Sequence, residues 1–421
     1  MRYGLIGNPL GHSHSPYLHS RFGVEGYELC VLQPDELAEF FRKREFAAVN
    51  VTIPYKRDVF ALVDEIDDCA RECGAINTVV NRNGKLSGYN TDIFGMSFAL
   101  RAAGIELAGK KVVVLGSGGT SHTACALAAR EGAKSVRVVS RTGEYNYSNL
   151  DLVADAQVLF NTTPVGMFPN IEGCPVDPAD FPALEGMFDA VYNPLDTAFV
   201  QKAEAAGVKH ASGLLMLTAQ AAQAADLFLG KAFAPCPPDS DAGRRIIGVC
   251  NDLREKLTDV VLCGMPSSGK STVGKLLAEM LNKKFVDTDA EVEKAAGKSI
   301  PDIFAESGEA GFRALEKQAV TKCAAMQGVV IATGGGAILD PTNALALKAN
   351  GFGVFLERDL SALSTEGRPL SQTNALDEMY RRRLPAYLAF ADVTATNDGT
   401  PQKTAEFIKE KYYESFGNQR A

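Results

Sequence analysis

Short apolar runs alternate with segments of helical periodicity along nearly the whole chain. An apolar run of about four to eight residues suits a buried strand, and a period near 3.6 suits an amphipathic helix. Strands are predicted at residues 3–6 and 48–53, and another strand is predicted to begin near Asp259. The alternation predicts an α/β protein built from parallel sheets with helices on their faces.

The most apolar long window, residues 213–230, has about the length of a membrane span. Gln220, Gln223 and Asp226 place a polar stripe along it. A polar stripe on an apolar helix is typical of a helix packed inside a protein. The window therefore predicts a packed helix, and no membrane partner is expected.

The clearest linker signal is the Pro- and Asp-bearing segment 234–243, APCPPDSDAG, which precedes a helical pattern. A domain boundary is therefore predicted near residue 257. The first half is predicted to divide again into two lobes with a cleft between them. The predicted units are residues 1–105 completed by helices at about 213–255, residues 106–212, and residues 258–421.

Composition narrows the function classes. With 421 residues, the chain is long enough for two or three domains. A net charge of −8 gives no basic surface, so small-molecule substrates are expected and nucleic acid is not. Nine cysteines without a C-x-x-C pair are typical of reduced thiols, and the N-terminus lacks the apolar core of a signal peptide. These features predict a cytoplasmic protein; whether it is a monomer or a homodimer is left open.

The segment KKVVVLGSGGTSHTACALA contains an apolar strand, the glycines Gly116, Gly118 and Gly119, and an alanine-rich helix. Such a turn lets the backbone approach a pyrophosphate at a helix N-terminus, although packing alone can also require it. The next strand, SVRVV, ends at Ser-Arg-Thr. Arg141 there suits a 2′-phosphate and favours NADP over NAD, unless it is a surface arginine paired with Glu144.

Several polar segments of the first half suggest catalysis on a small hydroxylated acid. Ser13 and Ser15 lie two apart beside a predicted helix start, where hydroxyls suit a carboxylate and Ser15 can also serve as a cap. Lys56 beside Asp92 can move a proton as a carbonyl and an alcohol interconvert. His12, His14 and His19 have no acidic or cysteine ligands nearby in sequence, so a metal is not expected there.

The motifs GNPLGHSHSP, NVTIPYK, GYNTD, NTTPVGM, VYNPLDT and GLLMLTAQA, in that order over residues 1 to about 255, resemble the shikimate dehydrogenase family. The resemblance implies a two-lobed dehydrogenase with a substrate lobe and a Rossmann-like NADP lobe, in which Lys56 and Asp92 are catalytic. The implied substrate-binding residues are Ser13, Ser15, Thr52, Asn77, Asn90, Tyr192 and Gln220. The implied NADP-binding residues are Gly116, Gly118, Gly119, Ser140, Arg141, Thr142 and Gly213. The segment SRTGEYN lacks the further basic residue often seen in that family.

The second half contains VVLCGMPSSGKSTVGK, which satisfies G-x-x-x-x-G-K-S between a predicted strand and helix. Backbone N–H groups of such a loop cradle phosphates, Lys270 reaches the terminal phosphates, and Ser271 can ligate Mg²⁺. Asp287 and Asp289 then end a strand two residues apart. Arg313 and Arg383 in a shared site would suit a carboxylate, and Arg368 beside a proline would suit the transferring phosphate.

These motifs, with GEAGFRALE, ATGGGAI, GRPL and YRRRLPAY, resemble the shikimate kinase family over residues 258 to about 415. The resemblance implies a P-loop domain with a nucleoside-monophosphate-kinase-like parallel sheet, and a lid around Arg368. Residues implied to bind ATP are Gly264, Ser267, Gly269, Lys270, Ser271 and Thr272. Residues implied to bind Mg²⁺ are Ser271 and Asp287. Residues implied to bind or activate shikimate are Asp289, Arg313, Gly334, Gly335, Gly336 and Arg383. The segment LERDLSALSTEGRPL is short for a lid and offers no obvious second arginine against adenine.

Together the two resemblances imply one chain that reduces 3-dehydroshikimate with NADPH and phosphorylates shikimate with ATP and Mg²⁺, on the route to chorismate and aromatic amino acids. Three alternatives remain open. The first half could be an NAD-preferring quinate/shikimate dehydrogenase, and the second half could act on another polyol or a nucleotide. A nucleotide-sensing module with lost catalysis is the third, but no catalytic residue is missing.

Overall fold

The structure is a computed structural model that describes residues 1–11, 13–231, 235–363 and 373–417, except for the side chains of 373–375. The chain folds into two compact units, with the main boundary between Cys250 and Asn251. The first unit comprises Met1–Gly166, Cys174–Tyr192 and Phe199–Cys250, and the second comprises Met167–Gly173, Asn193–Ala198 and Asn251–Ala421.

The first unit begins with a six-stranded mixed sheet. Its first three strands are parallel, and an antiparallel hairpin extends it on the other side. In sheet order the strands are β2 (Tyr27–Val31), β1 (Tyr3–Gly7), β3 (Ala48–Val51), β5 (Thr78–Arg82), β6 (Lys85–Tyr89) and β4 (Glu65–Ile66). Strands β1 and β3 are buried along their whole length, as expected for strands covered on both faces.

A second sheet of the first unit has five parallel strands. In sheet order they are β11 (Lys209–Ser212), β10 (Gly186–Asp189), β9 (Val158–Asn161), β7 (Lys111–Leu115) and β8 (Ser135–Val139). The chain leaves β7 for β8 on one side and then returns to β9 on the other. In open α/β sheets the crevice at such a reversal, outside the carboxyl ends of the strands, is where ligands bind.

The helices of the first unit alternate with these strands along the chain, and a further helix leads out of the unit. They are α1 (Ser15–Arg21), α2 (Leu37–Lys43), α3 (Asp68–Cys73), α4 (Asp92–Ala102), α5 (Gly119–Arg130), α6 (Ala198–Ala205), α7 (Gly213–Phe228) and α8 (Asp241–Leu257). Helix α7 packs against α1 and α4. A Cβ on Gly95 of α4 would lie 2.5 Å from the Met216 carbonyl oxygen and 3.0 Å from Gln220 Cβ, so glycine allows this close packing.

Helix α8 begins earlier than the sequence indicates. The segment 234–243 is predicted to be a linker, but the helix starts at Asp241. The Ser240 hydroxyl accepts the N–H of Gly243 at 3.0 Å, as an N-cap does. The serine and aspartate that make the segment look like a linker therefore also begin a helix.

The second unit has one five-stranded sheet in which all strands are parallel. In sheet order they are β13 (Lys284–Asp287), β14 (Val329–Ala332), β12 (Asp259–Cys263), β15 (Gly351–Glu357) and β16 (Val393–Thr396). The helices are α9 (Lys270–Leu281), α10 (Thr288–Ala296), α11 (Ile300–Ala324), α12 (Pro341–Lys348), α13 (Thr373–Phe390) and α14 (Pro401–Gly417). The central strand β12 is buried along its whole length.

The predicted fold class is confirmed: a mixed sheet and a Rossmann-like parallel sheet are followed by a separate parallel-sheet domain. All nine cysteines are free thiols. Within the described ranges, no helix is both long enough and apolar enough to cross a bilayer.

Candidate active sites

Lys56 and Asp92 form a direct ion pair in the first unit. Lys56 Nζ lies 2.7 Å from Asp92 Oδ2, and the two side chains are 25% and 15% exposed. The Lys56 carbonyl accepts the amide of Ile76 at 2.8 Å, which fixes the backbone beside the pair. Asn77 Nδ2 donates to Asp92 Oδ1 at 2.8 Å. The carboxylate is thus held on both oxygens, while the pair remains accessible from solvent.

Gln220 is linked to the pair through Thr91 and Asn77. The Thr91 amide donates to Asn77 Oδ1 at 2.8 Å, and Asn77 Nδ2 donates to Thr91 Oγ1 at 3.0 Å. The Thr91 hydroxyl then contacts Gln220 Oε1 at 3.3 Å. The close packing of α4 on α7 therefore brings three of the predicted site residues, Asp92, Asn77 and Gln220, into one network.

Asn90 is placed differently from its two neighbours. Its Nδ2 donates to the Ala75 carbonyl at 2.9 Å, and its Oδ1 accepts the amides of Asp92 and Ile93 at 3.0 and 3.3 Å. Asn90 is buried and caps the first turn of α4. These hydrogen bonds fix the backbone of Asp92. A direct contact between Asn90 and substrate stays a prediction.

Ser13 and Ser15 lie together, as their spacing predicts. The Ser13 hydroxyl lies 3.1 Å from that of Ser15 and accepts the Ser15 amide at 3.2 Å. The Tyr192 ring lies 6.2 Å from the His14 ring, edge to face, and burial raises the pKa of the Tyr192 phenol. Thr52 is partly buried, and its amide donates to the Ile6 carbonyl at 2.9 Å.

A polar chain supports Asn77 from behind; the NVTIPYK motif contains its member Asn50 but does not indicate the chain. Tyr27 donates to Asn50 Oδ1 at 2.7 Å, Asn50 Nδ2 donates to Thr78 Oγ1 at 3.0 Å, and Thr78 donates to Asn77 Oδ1 at 3.0 Å. His19 stacks on Tyr27 with ring centroids 4.1 Å apart. Only the hydroxyl and amide residues on neighbouring strands could have suggested this chain.

The glycine turn after β7 has one crowded and two open positions. Gly116 has φ +107°, and a Cβ on it would lie 2.9 Å from Thr162 Oγ1. Apart from chain neighbours and the helix's own backbone, no heavy atom of the described residues lies within 4 Å of a Cβ placed on Gly118 or Gly119. Gly118 is the N-cap of α5, so the first turn of this helix offers backbone N–H groups and the positive end of its dipole to an anion.

The predicted 2′-phosphate segment follows β8. Arg141 and Thr142 are exposed, and the Ser140 amide donates to the Tyr145 carbonyl at 3.1 Å. In the described part of the chain Arg141 forms no ion pair, so the structure does not support its pairing with Glu144. Burial raises the pKa of the Tyr147 phenol, and the charge of Arg141 opposes that shift. Gly213 is the buried first residue of α7, packed against the carbonyl of Ala190.

The phosphate loop of the second unit joins β12 to α9. Its glycines are required by the backbone, because Gly264 has φ +142° and Gly269 has φ +97°. Lys270 is buried, and its Nζ donates to the carbonyls of Gly264 and Met265 at 3.0 and 2.8 Å. Ser267 also has a positive φ of +65°.

Asn397, which directly follows β16, holds the loop from the side. Its Nδ2 donates to the Ser268 carbonyl at 2.7 Å, and a Cβ on Gly269 would lie 2.5 Å from this nitrogen. Thr404 donates to Asn397 Oδ1 at 3.0 Å. No short motif contains Asn397, so sequence analysis did not find it.

Ser271 and Asp287 come together at the start of α9. The Ser271 hydroxyl donates to Asp287 Oδ2 at 2.6 Å, and Asp287 Oδ1 accepts the amide of Asp289 at 3.0 Å as it caps α10. Both oxygens are ligand types that Mg²⁺ accepts, and the pair lies beside the phosphate loop. Thr272 is exposed next to Ser271.

The glycine run after β14 brings three charged side chains together. A Cβ on Gly334 would lie 2.5 Å from Asp289 Oδ1, and a Cβ on Gly336 would lie 2.8 Å from both terminal nitrogens of Arg313. Arg383 Nη1 donates to the Gly335 carbonyl at 3.1 Å. The absence of side chains on the run therefore lets Asp289, Arg313 and Arg383 approach one another.

Glu316 completes this cluster, and sequence analysis missed it. Its Oε2 lies 2.6 Å from Arg313 Nη1, and the residue is buried. Burial raises the pKa of Glu316, and the neighbouring Arg313 opposes that shift. The i, i+3 spacing of the two residues on α11 was the available signal.

The predicted lid residue Arg368 lies outside the described residues.

Fold and sites together define a two-lobed, dinucleotide-dependent oxidoreductase joined to a phosphate-loop phosphotransferase. Two family models match the chain: the shikimate dehydrogenase substrate binding domain over residues 5–79 and shikimate kinase over residues 266–413. The chain belongs to the shikimate dehydrogenase family and carries a shikimate kinase domain behind it, so it is a bifunctional fusion.

Individual relatives match the first half. The chain is 38% identical over 260 residues to the shikimate dehydrogenase (NADP(+)) of Halothermothrix orenii, covering 54% of this chain and 90% of that protein. It is 36% identical over 260 residues to the Methanosarcina acetivorans protein of that name, covering 54% of this chain and 92% of the relative.

Two solved structures are similar to the same half. The first is a chorismate mutase/shikimate 5-dehydrogenase fusion protein from Clostridium acetobutylicum. Its TM-score is 0.55 at 33% identity, over 60% of this chain and 97% of that one. The second is the shikimate 5-dehydrogenase of Thermus thermophilus in complex with NADP(H) and shikimate. Its TM-score is 0.51 at 33% identity, over 58% of this chain and 99% of that one.

Proposed function

We propose that the first unit reduces 3-dehydroshikimate to shikimate with NADPH and that the second transfers the γ-phosphoryl group of ATP to the 3-hydroxyl of shikimate. One observation carries the proposal. Each unit holds a cluster of charged side chains, brought together from distant parts of the sequence, and each also has its own glycine-rich nucleotide turn.

In the dehydrogenase we assign proton transfer to Lys56. When bound, NADPH would supply a hydride to the carbonyl carbon of the substrate. The Lys56 ammonium donates a proton to the carbonyl oxygen, which becomes the hydroxyl of the product. The 2.7 Å contact with Asp92 supports this role, because the carboxylate keeps the ammonium oriented and stabilises its charge. A proton from solvent then restores the ammonium.

The remaining first-unit residues hold the two substrates. Ser13 and Ser15 suit the carboxylate of the substrate, with Tyr192 beside them. Asn77, Thr52 and Gln220 suit its ring hydroxyls. The open first turn of α5 suits a pyrophosphate, and the exposed Arg141 suits a 2′-phosphate. These features favour NADP over NAD, and the Thermus thermophilus relative bound to NADP(H) supports the same choice.

In the kinase we assign Asp289 to the acceptor hydroxyl. As the 3-hydroxyl oxygen of shikimate attacks the γ-phosphorus, the hydroxyl proton passes to the Asp289 carboxylate and the bond to the leaving ADP oxygen breaks. Arg313 and Arg383 suit the shikimate carboxylate, because each guanidinium can donate two parallel hydrogen bonds. The glycine run 334–336 leaves room for the ring beside them.

Lys270 and Ser271 serve the nucleotide. The Lys270 ammonium, bonded to two loop carbonyls, would exchange these acceptors for the β- and γ-phosphates. Ser271 would ligate Mg²⁺ directly, and Asp287 would hold the ion through water. Bound Mg²⁺ neutralises the negative charge of the phosphates. Arg368 is assigned to the transferring phosphate on the resemblance alone.

Separate assays of the purified chain test the proposal. Oxidation of shikimate with NADP⁺ is expected, and so is shikimate-dependent release of ADP from ATP and Mg²⁺. Lys270→Ala should remove the second activity and leave the first unchanged. Absence of either activity in the wild-type chain would contradict the corresponding half of the proposal.

A further inference from the structure

Arg358 is an arginine beside the phosphate loop that no motif singles out. It directly follows β15, which pairs in parallel with β12 in the register Cys263↔Phe355. The carboxyl ends of parallel strands meet at one sheet edge, so Arg358 lies where the loop begins. A Cβ on Gly264 would lie 2.5 Å from the Leu356 carbonyl, which shows how closely the end of β15 approaches the loop.

The guanidinium of Arg358 is poorly satisfied where it lies. Its Nη1 donates to the Ser267 carbonyl at 3.4 Å, a long hydrogen bond. Its Nε is buried and has no acceptor among the described residues. A buried donor without an acceptor is unfavourable, and such groups in native proteins call for an explanation.

The neighbouring acids are committed to other groups. Glu357 accepts a hydrogen bond from the Tyr380 hydroxyl at 2.8 Å, and Asp359 accepts from the Ser361 hydroxyl at 2.7 Å. Across the described ranges, Arg358 takes part in no ion pair. A partly exposed cation therefore lies against the apex of a phosphate-binding loop, and no carboxylate of the described residues pairs with it.

We propose that Arg358 binds the phosphate chain of the nucleotide in the kinase site, an inference that rests on the proposed kinase function. A phosphate supplies several anionic acceptors in the geometry that a guanidinium fork matches. By turning from the Ser267 carbonyl toward this anion, Arg358 exchanges one long neutral hydrogen bond for charge-assisted ones. Arg358 follows the end of a core strand. The rest of the predicted lid segment, residues 359–370, contains no arginine besides Arg368.

A structural role is the competing explanation, in which Arg358 only braces the loop through Ser267. The two roles differ in what they predict for ligands. If Arg358 contacts phosphate, the loss of nucleotide affinity depends on the charge of the substituted side chain, and KM for shikimate does not change. A brace makes Arg358→Lys and Arg358→Gln equally harmful and lowers the melting temperature of the kinase unit.

The test is isothermal calorimetry of ATP and ADP binding to the full chain, with Mg²⁺ present. The variants are Arg358→Gln, Arg358→Lys and the matched control Arg381→Gln, which removes an exposed arginine of the same unit. Loss of a charge-assisted hydrogen bond should weaken ATP and ADP binding by about tenfold to a hundredfold in Arg358→Gln. Arg358→Lys should recover part of the affinity, and KM for shikimate and the dehydrogenase rate should not change.

Three outcomes would overturn the inference. Nucleotide affinity in Arg358→Gln within about twofold of wild type would exclude the contact. A twofold change in Kd corresponds to much less free energy than one charge-assisted hydrogen bond. Equal losses in the Gln and Lys variants, with a lowered melting temperature, would establish the brace. Failure of the wild-type chain to bind ATP would overturn the kinase assignment itself, and this inference with it.

Discussion

Lys56 Nζ and Asp92 Oδ2 lie 2.7 Å apart although they are separated by 36 positions in the chain. Lys56 follows β3 and Asp92 begins α4, so the pair depends on the packing of both elements. Asn77 binds the second carboxylate oxygen, and Asn90 receives the Asp92 amide. The fold thus fixes the Asp92 carboxylate and leaves the Lys56 ammonium partly exposed.

Lys56→Ala should lower the dehydrogenase kcat by about 10²-fold or more, because the proton donor is lost. Kinase activity should not change. Steady-state oxidation of shikimate with NADP⁺ measures the effect. Lys85→Ala is the matched control, since Lys85 forms a 2.5 Å pair with Glu65 on the surface of the same sheet. An unchanged rate in Lys56→Ala would remove this residue from the mechanism.

Arg141→Asp should move the dehydrogenase preference from NADP toward NAD. The substitution removes a cation suited to the 2′-phosphate and supplies an acceptor for the ribose hydroxyls. The ratio of kcat/KM for the two cofactors is the measurement. Arg71→Asp, an exposed site on α3, makes the same charge change elsewhere in the unit. If the wild-type chain already prefers NAD, the role given to Arg141 is wrong.

Asp289→Asn should abolish most phosphoryl transfer and leave ATP binding intact. The amide keeps the shape of the side chain but cannot accept the hydroxyl proton as a carboxylate does. Shikimate-dependent ADP release and calorimetry of ATP binding separate the two effects, with the exposed Asp377→Asn as control. Loss of ATP binding in Asp289→Asn would instead move the residue to the nucleotide site.

The parts of these sites that were predictable are those fixed by local backbone geometry. A phosphate loop needs glycine at the positive φ of Gly264 and Gly269, so its motif is visible in the sequence. Gly116 is visible for the same reason. Strands such as β12, buried along their length, are also visible as continuous apolar runs.

The parts that were not predictable depend on partners far away in sequence. Asn397 acts on a loop residue 129 positions earlier, and Tyr27 supports Asn77 only through Asn50 and Thr78. Asn90 stays a predicted substrate residue, but no motif indicates that its amide group also bonds to the backbone at the start of α4. A sequence shows the type of a polar residue, but tertiary packing decides which atom it meets.

His19 predicts a pH dependence of stability in the first unit. Burial lowers its pKa from 6.5 to about 4, although the Ser15 carbonyl opposes the shift. The unfolded chain therefore binds the proton more readily than the folded chain between these values. The contribution of the neutral, buried His19 to the free energy of unfolding is fully present above pH 6.5. It is lost as the pH falls to about 4, a change of about 3 kcal/mol.

NMR titration of the imidazole protons measures this directly, with His19→Asn used to assign the resonance. The His19 signal should show no protonation at pH 5.5, and the calorimetric transition of the dehydrogenase unit should move to lower temperature as the pH falls through this range. A His19 signal with a midpoint near 6.5 would contradict the prediction.

The most direct test of the bifunctional assignment is one reaction with the purified full chain, 3-dehydroshikimate, NADPH, ATP and Mg²⁺, followed by mass spectrometry. Shikimate 3-phosphate should form, with one NADPH oxidised and one ADP released for each molecule. Without ATP the reaction should stop at shikimate, and without NADPH neither product should appear. Oxidation of NADPH with no phosphorylated product, or no oxidation at all, would contradict the claim that both enzymes act in this chain.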